Sequence, residues 1–545
     1  MGIPSYFAHI VKQYKNVIKP FLKQEMLVDN LYLDCNSIIY DAVHSGLTDE
    51  TLIIDAVCVK LCFYFRLLNP SQRVIIAFDG VAPVAKLDQQ RRRRFMTWYQ
   101  KQTDQLKPAT SFNTASITPG THFMQQLSTR IKQRFHNPHE FDLKDIIVSA
   151  SDEVGEGEHK IYAYIRANAV YHKDTLTVIY GLDADLIMLT LNHLHVAPKM
   201  YLFRETPEFI KHIDRTLNPN EMYVLDIPIF AECIAQELKP STIGILPAFN
   251  QLSVSATTTD YNYVFDYIFM CFFLGNDFMP HFPALNIRTK GIERLINAYY
   301  VVFKDTTDTL TINQTKIQWH NVRKLLTYLS EHEHNYLTEE YNVRGKMSHR
   351  LKTIKRSNSN NHQQQEDDML INLPLLERDV ELRINPSKPM WQHRYYTSLF
   401  KSPFPLQDIC INYLQGLEWN LNYYSTGCLD WRWTFKYAYP PLLAELVMAL
   451  PPTNLYSFFS KKNSINTAVH PLVQLSYVIP KEDLTCFLPA SLTDTLVKQH
   501  AVWYIGRGEE VTFQWAFCKF LWEAHVNLPE IDLPALEKIV KEYIK

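Results

Sequence analysis

Seven acidic residues occupy positions from which a fold could gather them. Asp34, Asp79 and Asp183 each follow a short apolar run, and Asp185 stands two residues beyond Asp183. Glu156 and Glu158 flank a glycine at the start of a helical pattern, and Asp277 ends the apolar stretch Phe272-FLGNDFMPH. Taken singly, a strand-end aspartate is usually a helix cap or turn residue. Together, seven carboxylates on one sheet edge would repel one another severely unless cations were bound. Hard oxygen donors of this kind suit Mg²⁺ or Mn²⁺. Two such ions about 3.5–4 Å apart stabilise both the attacking and the leaving oxygen of an in-line phosphoryl displacement. The pattern predicts a metal-dependent phosphodiesterase.

A basic segment begins seven residues after Asp79. In Lys86-LDQQRRRRF, a helix would place Lys86, Gln90, Arg93 and Arg94 at offsets of zero, four, seven and eight, on one face. A lysine, an amide and two guanidinium groups there suit a terminal phosphate. Arg91 and Arg92 are expected to point elsewhere, to solvent or to a backbone phosphate.

The elements that must position these groups are visible as alternating patterns. Leu27-VDNLYLD, Arg73-VIIAFD and Leu176-TVIYGLD read as strands, with helices between them at Thr51 to Leu67 and Glu158 to Val170. Such alternation predicts a mainly parallel α/β sheet flanked by helices, whose ligand crevice lies beyond the carboxyl ends of its strands. The expected division is a nuclease core over 1–300, a variable linker region over 301–388 and a second, largely helical and aromatic-rich region over 389–545. Within the linker region, 355–368 (Lys355-RSNSNNHQQQEDD) is polar and aperiodic, the pattern of a mobile loop.

Composition narrows the class. The formal charge of the 545 residues is −2, so any site for a polyanion must be local. Nine scattered cysteines without a Cys-x-x-Cys pair indicate reduced thiols in an intracellular compartment and argue against zinc. No run of about 18 apolar residues and no signal-peptide pattern occurs, and Tyr6 stands where a myristoylation motif needs Ser or Thr. Lone histidines at 122, 139 and 281 read as structural, and without further support the tryptophan-rich block near Trp431 reads as core packing.

The blocks Tyr32-LDCNSII, Phe78-DGVAPVAKLDQQRRRRF, Gly155-EGEHKI, Tyr180-GLDADLIML and Leu274-GNDFMPHFP resemble, in order and spacing, the XRN family of 5′→3′ exoribonucleases. Tyr413-LQGLEW, Asp430-WRW and Trp522-EAHVNLPEIDLPALEKI continue the likeness, which covers most of the chain apart from Val301 to Lys388. The resemblance implies a PIN/FEN-like nuclease core and a processive enzyme. It would degrade single-stranded RNA bearing a 5′-monophosphate and release nucleoside 5′-monophosphates with two Mg²⁺ or Mn²⁺ ions. The family's metal-binding carboxylates fall on Asp34, Asp79, Glu156, Glu158, Asp183, Asp185 and Asp277. Its 5′-phosphate pocket falls on Lys86, Gln90, Arg93 and Arg94. Tyr40 replaces the family's base-stacking histidine, with Trp431 or Trp433 as the stacking partner, and Val154 replaces a usual proline. The chain ends near the end of the second conserved region, so it reads as a minimal, monomeric form, cytoplasmic rather than nuclear and of a kind a virus could encode. Nothing in the sequence points to a membrane or to protein partners such as decapping factors. Two other functions compete: a flap-type structure-specific DNA nuclease, disfavoured because no glycine-rich hairpin follows Asp277, and a catalytically silent RNA-binding scaffold.

Overall fold

A computed structural model describes residues 2–21, 26–103, 112–181, 183–205, 210, 214–218, 221–239, 260–357, 369–459 and 466–545. Its centre is a seven-stranded sheet formed by β1 (Ile18–Pro20), β2 (Asn30–Asp34), β3 (Arg73–Ala77), β4 (Asp145–Ser149), β5 (Thr177–Tyr180), β6 (Met200–Arg204) and β7 (Tyr223–Asp226). The spatial order is β1-β7-β6-β5-β2-β3-β4. Strands β2 to β6 run parallel, and β7 and β1 form an antiparallel edge. The chain steps from β2 outward through β3 to β4, then returns to the other side of β2 with β5. The strand order therefore reverses between β2 and β5, where a doubly wound sheet opens its crevice.

Alternation along the strands feeds two cores. Leu31, Leu33, Val74, Ile76, Val178 and Tyr180 enter the core on one face, while Tyr32, Ile75, Ala77 and Ile179 enter the core on the other. All are at most 2% exposed, as strands covered on both faces require. In chain order the helices of this part are α1 (Tyr6–Gln13), α2 (Asn36–His44), α3 (Glu50–Leu68), α4 (Val84–Thr103), α5 (His122–Arg134), α6 (Gly157–Ala167), the short α7 (Ala169–His172) and α8 (Asp185–His193). The expected helix at Thr51–Leu67 is α3, capped by Asp49, whose side chain accepts from Leu52 N at 3.0 Å. The expected helix at Glu158–Val170 is instead α6 followed by α7, with Asn168 between them.

Residues 301–388, expected as a variable linker, are largely structured. A 39-residue helix, Trp319–Ser357, sends Trp319, Val322, Leu325, Leu326 and Leu329 into the same core as the sheet. Lys355 to Ser357 of the expected polar loop close that helix, and 358–368 lie outside the described residues. The aromatic-rich region is helical as expected. Its helix Leu406–Ser425 packs Tyr413, Leu417, Trp419, Tyr423 and Tyr424 into the shared core.

The far end of the long helix is tied by a buried ion cluster. Arg344 grips Glu381 with Nη2–Oε1 at 2.6 Å, Arg378 Nε reaches Oε2 at 2.6 Å, and Phe517 N donates to Oε1 at 2.9 Å. All three charged side chains are at most 5% exposed. Removing one member leaves buried charge uncompensated, so Glu381→Gln is expected to destabilise the protein by about 3–5 kcal/mol. Denaturant unfolding checks this; a midpoint equal to wild type would show that the cluster contributes no net stability.

Candidate active site

The carboxylates assemble where the strand order reverses. Asp34 closes β2, Asp79 follows β3, Glu156 and Glu158 open α6 after β4, Asp183 lies between β5 and α8, and Asp185 opens α8. Asp277 comes from the turn after the apolar helix Tyr261–Cys271 and the single turn Phe272–Leu274. Glu156, Glu158 and Asp185 are buried, Asp34, Asp79 and Asp277 are half-buried, and Asp183 is exposed.

Three groups steady this charge. Lys86, near the start of α4, bridges two of the acids, with Nζ 2.7 Å from Glu156 Oε2 and 2.8 Å from Asp277 Oδ2. Asn36 donates to Asp79 Oδ2 at 2.6 Å and accepts from Asp79 N, while Gly157 N at the start of α6 donates to Asp79 Oδ1 at 2.8 Å. Tyr423 and Tyr424 donate to Glu156 Oε1 at 2.6 Å and to Asp185 Oδ1 at 2.7 Å. Two oxygens remain apart: Asp34 Oδ1 and Glu158 Oε2 are buried without a hydrogen-bond partner. A Cβ at Gly157 would stand 2.6 Å from Asp34 Oδ1, so glycine is what lets the start of α6 approach β2 so closely.

The electrostatics follow from burial and crowding. Burial, and then Asp79 and Asp183, push Asp34 well above the usual carboxylate range. Burial and then Asp185 do the same to Glu158. Asp185 is pushed up to about 7 by burial and by Asp277. For Asp277 burial acts upward too, and is the largest single influence, but the Lys86 ammonium and further positive charge including Arg93 together hold the group below its ordinary value.

The four residues of the expected phosphate face lie in quite different settings. Lys86 turns toward the carboxylates. Gln90 is buried, with Oε1 unpartnered. Arg93 is exposed and close enough to Asp277 to lower its pKa. Arg94 donates to Ala115 O and Ile117 O at 3.3 and 3.2 Å, and burial lowers it to about 10 beside Tyr40. Arg91 does not face solvent or await a phosphate. It donates to Pro529 O and Trp503 O at 2.9 and 2.8 Å, anchoring α4 to the C-terminal region.

Of the two candidate stacking tryptophans, Trp433 is a core residue. It lies 7% exposed on Trp419, ring centroids 5.0 Å apart. Trp419 stacks in turn on Tyr423 at 4.6 Å, and Tyr423 on His159 at 3.8 Å. Trp431 is half-exposed, and its carbonyl accepts from Val84 N at the start of α4. Tyr40 is half-buried. Asn36, Tyr423 and Tyr424 were not singled out from sequence. The dipeptide Tyr423-Tyr424, closing an apolar helix, was the available signal.

The chain is similar to known proteins along most of its length. The model of the XRN 5′-3′ exonuclease N-terminus matches residues 1–206. That of the Xrn1 helical domain matches 259–388 and 375–543, so the likeness extends through the stretch Val301 to Lys388 that the motifs had left out. The chain is 26% identical to the 5′-3′ exoribonuclease 2 homolog of Drosophila melanogaster, covering 100% of this chain and 71% of that protein. It is 30% identical to 5′-3′ exoribonuclease 2 of Kluyveromyces lactis over 66% of this chain and 42% of that one. For 5′-3′ exoribonuclease 1 of Saccharomyces cerevisiae the identity is 25%, over 90% and 40%. The chain thus spans about half the length of several of these relatives. With two family models together spanning most of its length, the chain belongs to the XRN 5′-3′ exonuclease family.

Proposed function

We propose that this protein is a 5′→3′ exoribonuclease that hydrolyses single-stranded RNA from a 5′-monophosphate end with Mg²⁺ or Mn²⁺. The observation that carries this is Lys86 of α4 bridging Glu156 and Asp277 beside the point where the strand order of the sheet reverses.

The donor chemistry, carboxylate oxygens only, suits a pair of hard cations. Among the described residues no three acidic, histidine or cysteine side chains are placed so as to hold a metal ion. Yet Asp34 Oδ1 and Glu158 Oε2 are buried oxygens lacking any donor, and Lys86 supplies a positive charge between Glu156 and Asp277. The ions would be held by Asp34, Asp79, Glu156, Glu158, Asp183, Asp185 and Asp277. When bound, they supply charge for the attacking water and the leaving 3′ oxygen.

The chain's own residues do the positioning. Asn36 and Gly157 N fix Asp79, and the two tyrosines fix Glu156 and Asp185, so little reorganisation is left for the reaction. Lys86 has two tasks: it neutralises the ion-free cluster, and once cations are present it joins Gln90, Arg93 and Arg94 at the 5′ phosphate. Tyr40 and Trp431 hold the first base by stacking. A phosphate fixed on α4 leaves the first phosphodiester beside the carboxylates, which makes the product a nucleoside 5′-monophosphate. A triphosphate or cap would overfill that face.

The direct test uses single-stranded RNA labelled at a 5′-monophosphate, 5′-triphosphate or 5′-hydroxyl end, with single-stranded and flapped DNA alongside. Labelled mononucleotide should appear at once from the monophosphorylated RNA and at least about tenfold more slowly from the others. Internal cuts at flap junctions would assign a structure-specific nuclease instead, and tight binding without hydrolysis a scaffold. Arg93→Glu should narrow the gap between monophosphate and hydroxyl ends without abolishing hydrolysis.

Two further outcomes separate the metal from its supports. Mg²⁺ should raise the melting temperature of the wild-type protein and raise that of Glu158→Gln much less, as read by calorimetry. Tyr424→Phe should lower Mg²⁺ affinity or kcat about 10- to 100-fold while leaving the fold intact. Wild-type values for Tyr424→Phe in both would remove the tyrosine from the site's support.

A further inference from the structure

Positive charge also gathers away from α4, in the second half of the long helix Trp319–Ser357. The 17 residues from Tyr341 to Ser357 hold six lysines and arginines and no acidic residue, in a chain whose formal charge is −2. Arg344 is turned inward to Glu381, which fixes the roll of this part of the helix. Asn342, Lys346, His349 and Arg350 are exposed on another side. They stand at offsets of zero, four, seven and eight, the spacing of one helix face. Lys352 is exposed as well, and Lys346, Arg350 and Lys352 join no ion pair among the described residues.

A cavity beside this face sets it apart from a merely solvated one. It measures about 550 Å³, within the range of ligand sites. Tyr341, Asn342, Lys346 and His349 line it from the long helix, and Arg378 and Leu382 from the start and the body of the helix Asp379–Ile384. Arg378 is its fixed cation. The side chain is 5% exposed, with Nε donating to Glu381 Oε2 at 2.6 Å and Nη2 to Tyr341 O at 3.2 Å. Its Nη1 has no hydrogen-bond partner among the described residues and lies beside Gly345, 3.4 Å from where a Cβ would stand. The Tyr341 ring centre is 5.2 Å from this guanidinium, and Leu382 is 51% exposed. The buried ion cluster thus holds a guanidinium in place at the floor of an open groove, so little ordering remains to be done on binding.

We propose that this groove and the basic face beyond it form a second binding site for single-stranded RNA, which holds substrate by its phosphates apart from the active site. This rests on the proposed exoribonuclease function. Arg378 and Lys346 receive a phosphate, and Tyr341, Asn342 and Leu382 face a base. Arg350 and Lys352 do not line the cavity, so they carry positive charge past its end to further phosphates. A free mononucleotide would leave those two unused, and an acidic peptide would leave the ring and the amide unused. Contacts to the backbone are blind to sequence, as an enzyme that removes every nucleotide in turn requires.

Binding is read by fluorescence anisotropy of a single-stranded RNA of about 20 nucleotides, in EDTA to keep hydrolysis out, at several salt concentrations. Lys346→Glu with Arg350→Glu should raise Kd at least about tenfold and flatten the slope of log K against log salt by about 1 to 2. Arg350→Gln with Lys352→Gln, which leaves the groove wall intact, should raise Kd about threefold and keeps the site testable if charge reversal unfolds the helix. A control with the same charge change at exposed sites elsewhere, Lys498→Glu with Lys541→Glu, should stay within about twofold of wild type. With Mg²⁺ present, kcat/KM for 5′-phosphorylated RNA of about 20 nucleotides should fall with Kd, and that for about 3 nucleotides should not change. An unchanged Kd and slope in both groove variants would overturn the site, and so would an equal loss in the control. Lost binding of a poly-glutamate peptide with RNA binding intact would also overturn it and assign the groove to an acidic protein partner. If wild type hydrolyses neither RNA, the parent function fails, and binding in EDTA then decides: weaker binding in the groove variants supports the site, and wild-type binding overturns it.

Discussion

Mutual repulsion among buried carboxylates is the constraint around which this molecule is arranged. Two like charges about 4 Å apart cost about 4 kcal/mol at an effective dielectric near 20, and here the sheet edge gathers seven. Each neighbour can be understood as a response. Lys86 offsets Glu156 and Asp277, Asn36 and Gly157 N hold Asp79, and Tyr423 and Tyr424 hold Glu156 and Asp185. Asp34 Oδ1 and Glu158 Oε2 stay buried without such a partner, and burial with crowding raises both groups well above the usual carboxylate range.

The arginine run solves a related problem on the other side of the crevice. Four guanidinium groups in succession on a helix cannot share a face, so their tasks divide by geometry. Arg91 is spent on carbonyls of the C-terminal region, and Asp88 on the same helix accepts from Thr434 and Tyr477 at 2.6 and 2.5 Å. This docking fixes the roll of α4, which is what turns Lys86, Arg93 and Arg94 toward Asp277 and Tyr40. The contacts made by one face of the helix thus determine the chemistry of the other.

Much of this was legible because the carboxylates sit at strand ends. A short continuous apolar run that stops at aspartate marks both a strand covered on two faces and the edge of the sheet where a ligand would lie. The helical spacing of Lys86, Gln90, Arg93 and Arg94 predicted one shared face, but their settings differ: Lys86 meets Glu156 and Asp277, Gln90 is buried, Arg93 is exposed, and Arg94 donates to the carbonyls of Ala115 and Ile117. What the sequence hid were long-range partners. Nothing local says that Lys86 bridges Glu156 and Asp277, 70 and 191 residues away, or that Trp433 stacks on Trp419 rather than facing a base. The helix Trp319–Ser357 was missed for a different reason. Its buried apolar residues thin out after Leu329 to Leu337 alone, and the rest of its buried stripe is polar, Glu333, Glu340, Arg344 and Ser348, packing through contacts such as Arg344 with Glu381.

The two conserved regions cannot be separated physically. Helix Leu406–Ser425 contributes to the core beneath the sheet and ends in the tyrosines that hold Glu156 and Asp185. Its stack from Trp433 through Trp419 and Tyr423 to His159 gives those hydroxyls a rigid seat, because each ring is fixed by the next. The sheet region therefore brings the charges, and the helical region sets their orientation. A fragment holding only the sheet would retain every acidic residue yet leave Glu156 and Asp185 without their donors, and the side of α4 that carries Arg91 would have nothing to pack against. Carboxylate identity makes the site possible; the helix that begins 129 residues after Asp277 makes it a defined geometry.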